Sequence, residues 1–514
     1  MSDSREAESA RQIKAGAVLG YITLGINLLA GLIYTPWMIR SLGQDNYGLY
    51  TLSVSLIGIL VMDFGLGAAV TRFLALYNSE HDEEAVNNLL GIIYKLFLLL
   101  DVIIVVVLTV VYFHIGEIYQ ELSSAEIDRL KVIFIISAVF SILSFPFGTL
   151  SGILTAYEKF VQLKASELVY KILNMGCIIA ALSLGYGLYA LVLMNAVTGI
   201  VNILIKLYLV KKTTQIKVNF RYKGGKKNAE VFQFSLWSTV INIAQRFIYN
   251  IIPSILGIYC GAVSISVFSA SATIEGIVFT FAAAINGLFL PRVSRIIGKE
   301  NRDESLLVLM IKVGRIQLFL IGLIYIGFLA IGREFIALWL GDGFQRAYIC
   351  ILLLILPSIF ELPQHIASLT VVAEGKVKLQ SGVYTLMAVI NILLSIILTK
   401  EFQEVGAAVS VCCAYLFRTA AMNVIYHRIL KINVFRFFRE CFLNMGGCLL
   451  LSILAAVIIS MLSGGGLLLF LVKGMTIVII YLVLFWNFGL NKYEKELFGS
   501  TFLKVMTLLK INKH

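Results

Sequence analysis

The chain has 514 residues, 59% of them hydrophobic and only 14% charged, with a formal net charge of +12. A soluble domain carries about a quarter charged residues and roughly half apolar ones, so this balance places the chain in lipid and excludes an ordinary soluble enzyme. The longest clearly hydrophilic stretch, 211–230, is too short for a separate nucleotide-binding or catalytic module.

A bilayer core of about 30 Å takes roughly 20 apolar residues per helix, and only helices or closed barrels satisfy the backbone there. The apolar runs are far longer than barrel strands, and they predict an all-α polytopic membrane protein. Residues 1–14 are polar, and the run that follows is too long for a signal-peptide core, so it is expected to stay as a span. In chain order the spans read 15–40, 47–72, 89–114, 131–155, 165–186, 187–210, 231–258, 262–289, 306–332, 347–371, 378–400, 404–427, 440–461 and 465–487, about fourteen in all. The tail from Asn491 to His514 reads as a basic amphipathic helix on the inner surface. The seven cysteines fall in or beside apolar segments without metal-ligand spacing, and Cys412 and Cys413 point to different sides of a helix.

The basic residues test this count. With the N-terminus in the cytoplasm, 28 Lys and Arg fall in inner segments, six in outer segments and eight inside apolar runs. One missed or invented span would scramble this positive-inside asymmetry, so both ends are expected in the cytoplasm. The net charge then follows from topology and requires no nucleic-acid partner.

Spans one and two share features with spans seven and eight at an offset near 218. Gly43 falls on Gly261, Tyr50 on Phe268, and Asn27 on Gln245, while Pro36 and Pro253 agree within one residue. The match suggests a first lobe over 15–210, a basic linker over 211–230 and a second lobe over 231–427. An additional pair of spans follows over 428–487, then a basic tail over 488–514. Parallel repeats of even span number build transporters whose substrate site lies between the lobes.

Polar residues inside the spans carry the chemistry. In span seven, Ser235, Ser238, Thr239, Asn242, Gln245, Arg246, Tyr249 and Asn250 follow the spacing of one helical face. Serines and amides can hold helices together, but Arg246 lies roughly 21 Å along the span. A charge at that depth costs several kcal/mol unless paired or wet, so Arg246 is expected to line a hydrated cavity. Asn27 and Tyr34 of span one are expected to share it.

Lys95 in span three, Lys171 in span five and Arg418 in span twelve are further candidate cavity cations. Glu167 and Lys171 have the order of a local i, i+4 salt bridge. Lys312, Arg315 and Lys473 are expected to snorkel to the interface. Asp63, Asp101, Glu275, and the pair Glu361 and His365 between Pro357 and Pro363 are candidates for coupling to a proton or sodium gradient. No cofactor is expected. Basic residues in the inner half of the spans suit an anionic substrate such as a pyrophosphate headgroup, which Lys and Arg bind through charge-assisted hydrogen bonds.

No Walker A loop, HExxH motif or plausible Ser-His-Asp set occurs, and the Asp63-Phe64-Gly65 string lacks every other kinase element. A non-enzymatic transporter is the expectation that remains.

Arg40-Ser-Leu-Gly43, Asn46-Tyr-Gly-Leu-Tyr50, Asp63-Phe-Gly-Leu-Gly67 and Thr71-Arg72, together with Gln245-Arg246, resemble the polysaccharide transporter (Wzx-type) family. That family belongs to the multidrug/oligosaccharidyl-lipid/polysaccharide (MOP) exporter superfamily. It often has an acid just after the Gln-Arg pair, whereas Phe247, Ile248, Tyr249 and Asn250 follow here. The resemblance implies a V-shaped, MATE-like bundle of two six-helix lobes with a cationic central cavity. It implies movement of undecaprenyl-pyrophosphate-linked glycan from the inner to the outer leaflet of a bacterial or archaeal plasma membrane. The implied partners are the lipid-linked anionic glycan, membrane lipid, and a glycan polymerase or glycosyltransferases. A lipid II-type or sporulation-related flippase and a cation-coupled multidrug exporter share the same fold.

Overall fold

The computed structural model describes residues 2–62, 64–222, 239–240, 242–244, 246–286, 289–298, 300–462 and 466–496. Among the described residues every regular element is helical. Eleven helices among the described residues are long and apolar enough to cross a membrane. One of these, Val377–Arg428, is two spans merged across a break at Gln403, where φ is 54°. Span two is divided between Gln44–Leu60 and Leu66–Ser79, and span seven is described only in part. Counted this way, the span total agrees with the hydropathy reading.

Several helices run longer than their apolar cores because polar caps extend them. Glu83–Ile118 begins where the Asp82 carboxylate accepts from Ala85 N at 2.9 Å, with Glu83 and Glu84 against the positive end of the helix dipole. Ser124–Ser144 begins with a capping box between Ser123 and Glu126. Prolines mark the interruptions: a tight turn at Phe145–Gly148 holds Pro146, and another at Leu362–Gln364 holds Pro363.

The chain forms two compact units. The first comprises Met1–Thr273 with Tyr384–Val411, the second Ile274–Val383 with Cys412–His514. In the first, Glu83–Ile118 buries Ile93, Phe97, Ile104, Leu108 and Ile115 and leaves Leu99, Val102, Val106, Val110 and Phe113 exposed. A helix apolar all round with one face uncovered is arranged for contact with lipid. The same unit brings span two against the start of span eight, where a Cβ on Gly48 would lie 2.0 Å from Ala262 O. Any side chain at 48 would therefore drive the two backbones apart.

The second unit holds two apolar cores. One is centred on Leu306, Met310, Ile366, Leu430 and Phe437, the other on Leu318, Ile326, Met445, Ile477 and Phe485. All seven cysteines are free thiols, with Cys412 buried and Cys413 exposed.

Candidate functional site

Span two and Arg246 define the first feature. Helix Gln44–Leu60 ends at Val61, and the chain passes through Phe64 and Gly65, at φ 47° and 70°, before helix Leu66–Ser79 begins. Asp63 lies in this break but outside the described residues. A helix C-terminus presents carbonyls without intrahelical partners and a partial negative charge. Arg246 meets that end: its Nη1 donates to Gly58 O at 2.5 Å.

Glycine is required at 58 by close approach, since a Cβ there would lie 2.8 Å from Asn250 Nδ2. Arg246 and Asn250 are one turn apart and share a face of span seven. The regular helix of that span is interrupted at Asn250, before Ile251–Tyr259, and Pro253 has no N–H to continue the ladder. The carbonyls just before the interruption are held by a side chain from another helix. Fully buried Asn391 donates through Nδ2 to Ile248 O at 2.9 Å and Phe247 O at 3.4 Å. Asn242 is half-buried on the same span, and Gln245 lies outside the described residues.

A second polar group joins spans two, five and six. Asn174 Nδ2 donates to Asn195 Oδ1 at 2.9 Å, and Asn195 Nδ2 donates to Tyr50 Oη at 3.3 Å. Asn174 Oδ1 and the Tyr34 hydroxyl are buried with no hydrogen-bond partner among the described residues. Asn27, expected beside Tyr34, is exposed.

The eight intramembrane cations divide evenly between the units. In the first unit none has a carboxylate within ion-pair distance among the described residues. Arg246 rests on a carbonyl, and Lys206 Nζ donates to Ser151 Oγ at 2.9 Å. Half-buried Lys171 has neither a hydrogen bond nor an ion pair among the described residues. The expected Glu167–Lys171 bridge does not form, because Lys164, three residues before Glu167, takes that carboxylate at 2.8 Å. Lys95 is exposed and donates to Tyr222 O at 2.8 Å. It works with Asn87 and Asn88, which hold Lys217 and Asn219 of the linker, so Lys95 anchors the linker in this structure.

In the second unit, three of the four cations meet acids. Arg315 is buried, not snorkelled: its Nε donates to Glu494 Oε1 at 2.6 Å and its other nitrogens reach Gly489 O and Glu440 O. Lys473 is also buried, with Glu334 at 2.5 Å, because packing supplies a carboxylate that the sequence places 139 residues away. Arg418 forms an ion pair with Glu361, with His365 within electrostatic reach of both. Lys312 Nζ lies 5.0 Å from the centre of the Tyr493 ring.

Of the remaining acids, Asp101 is buried with Oδ1 unpartnered among the described residues, and Glu275 is buried. Among the described residues no group of three or more His, Cys, Asp or Glu could hold a metal ion.

The sequence profile of the family "Polysaccharide biosynthesis protein" matches residues 14–297, more than half of the chain. The chain belongs to the polysaccharide biosynthesis protein family. A putative O-antigen transporter of Shigella flexneri is 24% identical over 409 residues, covering 77% of this chain and 93% of the relative. The fold resembles that of the lipid II flippase MurJ in an inward closed conformation, with a TM-score of 0.70 at 15% identity over 91% of this chain and 97% of that one. It also resembles an inward-facing MATE multidrug resistance transporter of the MOP superfamily, with a TM-score of 0.59 at 16% identity over 77% and 95% of the two chains. This member of the family is a polytopic membrane transporter, not an enzyme. The sequence reading did not single out Lys206. Its signal is a lysine inside an apolar run with no acid three or four residues away.

Proposed function

We propose that the protein is a flippase that moves undecaprenyl-pyrophosphate-linked oligosaccharide from the inner to the outer leaflet of the plasma membrane by alternating access. One observation carries this reading: among the described residues the intramembrane cations of the first unit have no carboxylate at ion-pair distance, in a chain of the polysaccharide biosynthesis protein family. A cation kept out of bulk water without a counter-ion is a standing site for an anion. Arg246, with N–H groups beyond the one given to Gly58, is the first contact for pyrophosphate, and Lys171 the second. The amides of Asn174 and Asn195 and the hydroxyls of Tyr34 and Tyr50 offer hydrogen bonds to sugar hydroxyls. Both termini lie in the cytoplasm in this reading, the six-span repeats move as lobes, and glycosyltransferases or a polymerase act before and after the transporter. The paired Arg418 and the linker-bound Lys95 are secondary.

The test is complementation of a bacterium lacking its oligosaccharide flippase. Wild type is expected to restore surface glycan, and Arg246→Ala to abolish it at normal membrane levels. Full export by Arg246→Ala would remove this site from the pathway.

A further inference from the structure

Spans five and six, Phe160–Ser183 and Gly187–Thr213, form a hairpin with a polar seam. On span five Lys164, Glu167, Lys171 and Asn174 recur at helical spacing on one side, about 15 Å from first to last. Asn195, Asn202 and Lys206 recur in the same way on span six. One end of the seam is closed by the hydrogen bonds from Asn174 to Asn195 and from Asn195 to Tyr50. At the other end Lys164 holds Glu167 at 2.8 Å, and Lys206 lies within electrostatic reach of both. Between these ends the seam is open. Among the described residues Lys171 has neither a hydrogen bond nor an ion pair, and Asn202 Oδ1 is buried with no hydrogen-bond partner.

The seam thus has three lysines and one carboxylate, and that carboxylate has two seats. Glu167 stands three residues after Lys164 and four before Lys171, so a rotamer change exchanges one lysine for the other with the backbone at rest. Local pairs of either spacing are similar in strength, and the surroundings choose between them. The first seat has two cations near it, Lys164 and Lys206, and the second has Lys171 alone. That difference accounts for the seat taken in the structure. The pair is also free to exchange. The Lys164 and Glu167 side chains are 38% and 34% exposed, against 7% and 1% for Arg315 and Glu494. A wet pair is weak, and breaking it leaves no charge stranded in apolar surroundings.

We propose that Glu167 is a movable counter-ion for the transported anion. It sits by Lys164 and Lys206 while the seam is empty, and swings to Lys171 when a pyrophosphate takes those two lysines. The proposal rests on the pyrophosphate-linked substrate argued above. Like charges repel, so the arriving anion itself drives the exchange. When the anion advances to Lys171, the carboxylate returns to its first seat. Negative charge is then present at both places throughout, and neither holds the anion against an empty neighbour. Glu167 touches the lysines and not the substrate, so it is a positioning residue.

The test is titration of the purified full-length protein with undecaprenyl pyrophosphate, alongside surface-glycan export in the complemented bacterium. Glu167→Gln is expected to bind about tenfold tighter, because its lysines no longer have an internal competitor. Export should nevertheless fall, at an unfolding midpoint near that of wild type. Lys171→Gln should bind more weakly, because Glu167 then has no second seat. Adding Glu167→Gln to Lys171→Gln should improve binding about thirtyfold, a larger gain than in the wild-type background. Equal gains in the two backgrounds would make the residues independent and overturn the exchange. Unchanged or weaker binding by Glu167→Gln would overturn it as well. Either result, with binding by wild type and its loss in Arg246→Ala, would leave the substrate reading standing. Absence of binding by wild type would overturn both.

Discussion

The two units treat the same problem, a cation inside apolar helices, in opposite ways. In the second, Arg315, Arg418 and Lys473 each sit against a carboxylate. In the first, Arg246 and Lys206 rest on neutral oxygens, and Lys171 has no partner among the described residues. A buried ion pair is structural: it adds little net stability, but losing one member leaves a costly orphan charge. A buried cation without a counter-ion is a cost that the fold keeps, and such costs collect at functional sites. The contrast separates cations held by acids from the cations that we propose meet the substrate.

The largest expected effect tests the structural side. Glu494→Ala leaves the Arg315 guanidinium buried without its carboxylate and should cost about 3–5 kcal/mol, read as a fall in the unfolding midpoint in detergent. Gly58→Leu should come next. Its side chain would meet Asn250 and push Arg246 from the helix end, costing about 1–3 kcal/mol and most glycan export. Asn391→Leu removes two hydrogen bonds to the Phe247 and Ile248 carbonyls of span seven and should cost about 1–2 kcal/mol, with a partial loss of export.

The smallest change in stability belongs to Lys171→Gln. It should leave the unfolding midpoint unchanged or raise the stability by about 1 kcal/mol, while export falls. If Lys171→Gln instead destabilised the protein as Glu494→Ala does, the distinction between the units would collapse.

The span count was legible because hydropathy is local and strong, and the charge asymmetry checked it. The sequence also pointed to Arg246 as an internal cation. It did not show what Arg246 touches, because Gly58 lies 188 residues away. The same distance effect explains Arg315 and Lys473, whose acids arrive through packing from 179 and 139 residues off. Helical spacing allowed Glu167 either Lys164 or Lys171, and only rotamers and surroundings could choose. The break in span two was written in Phe64-Gly65, but the surrounding run, 47–72, is apolar enough to read as one helix.

That break has a mechanical consequence. A continuous helix is a stiff rod that transmits tilt and torque along its length. Span two is two shorter rods joined by a flexure, with residues at positive φ at the joint. The Arg246 hydrogen bond ties the end of the first rod to span seven. An anion that draws the guanidinium away would release that end without itself moving any helix.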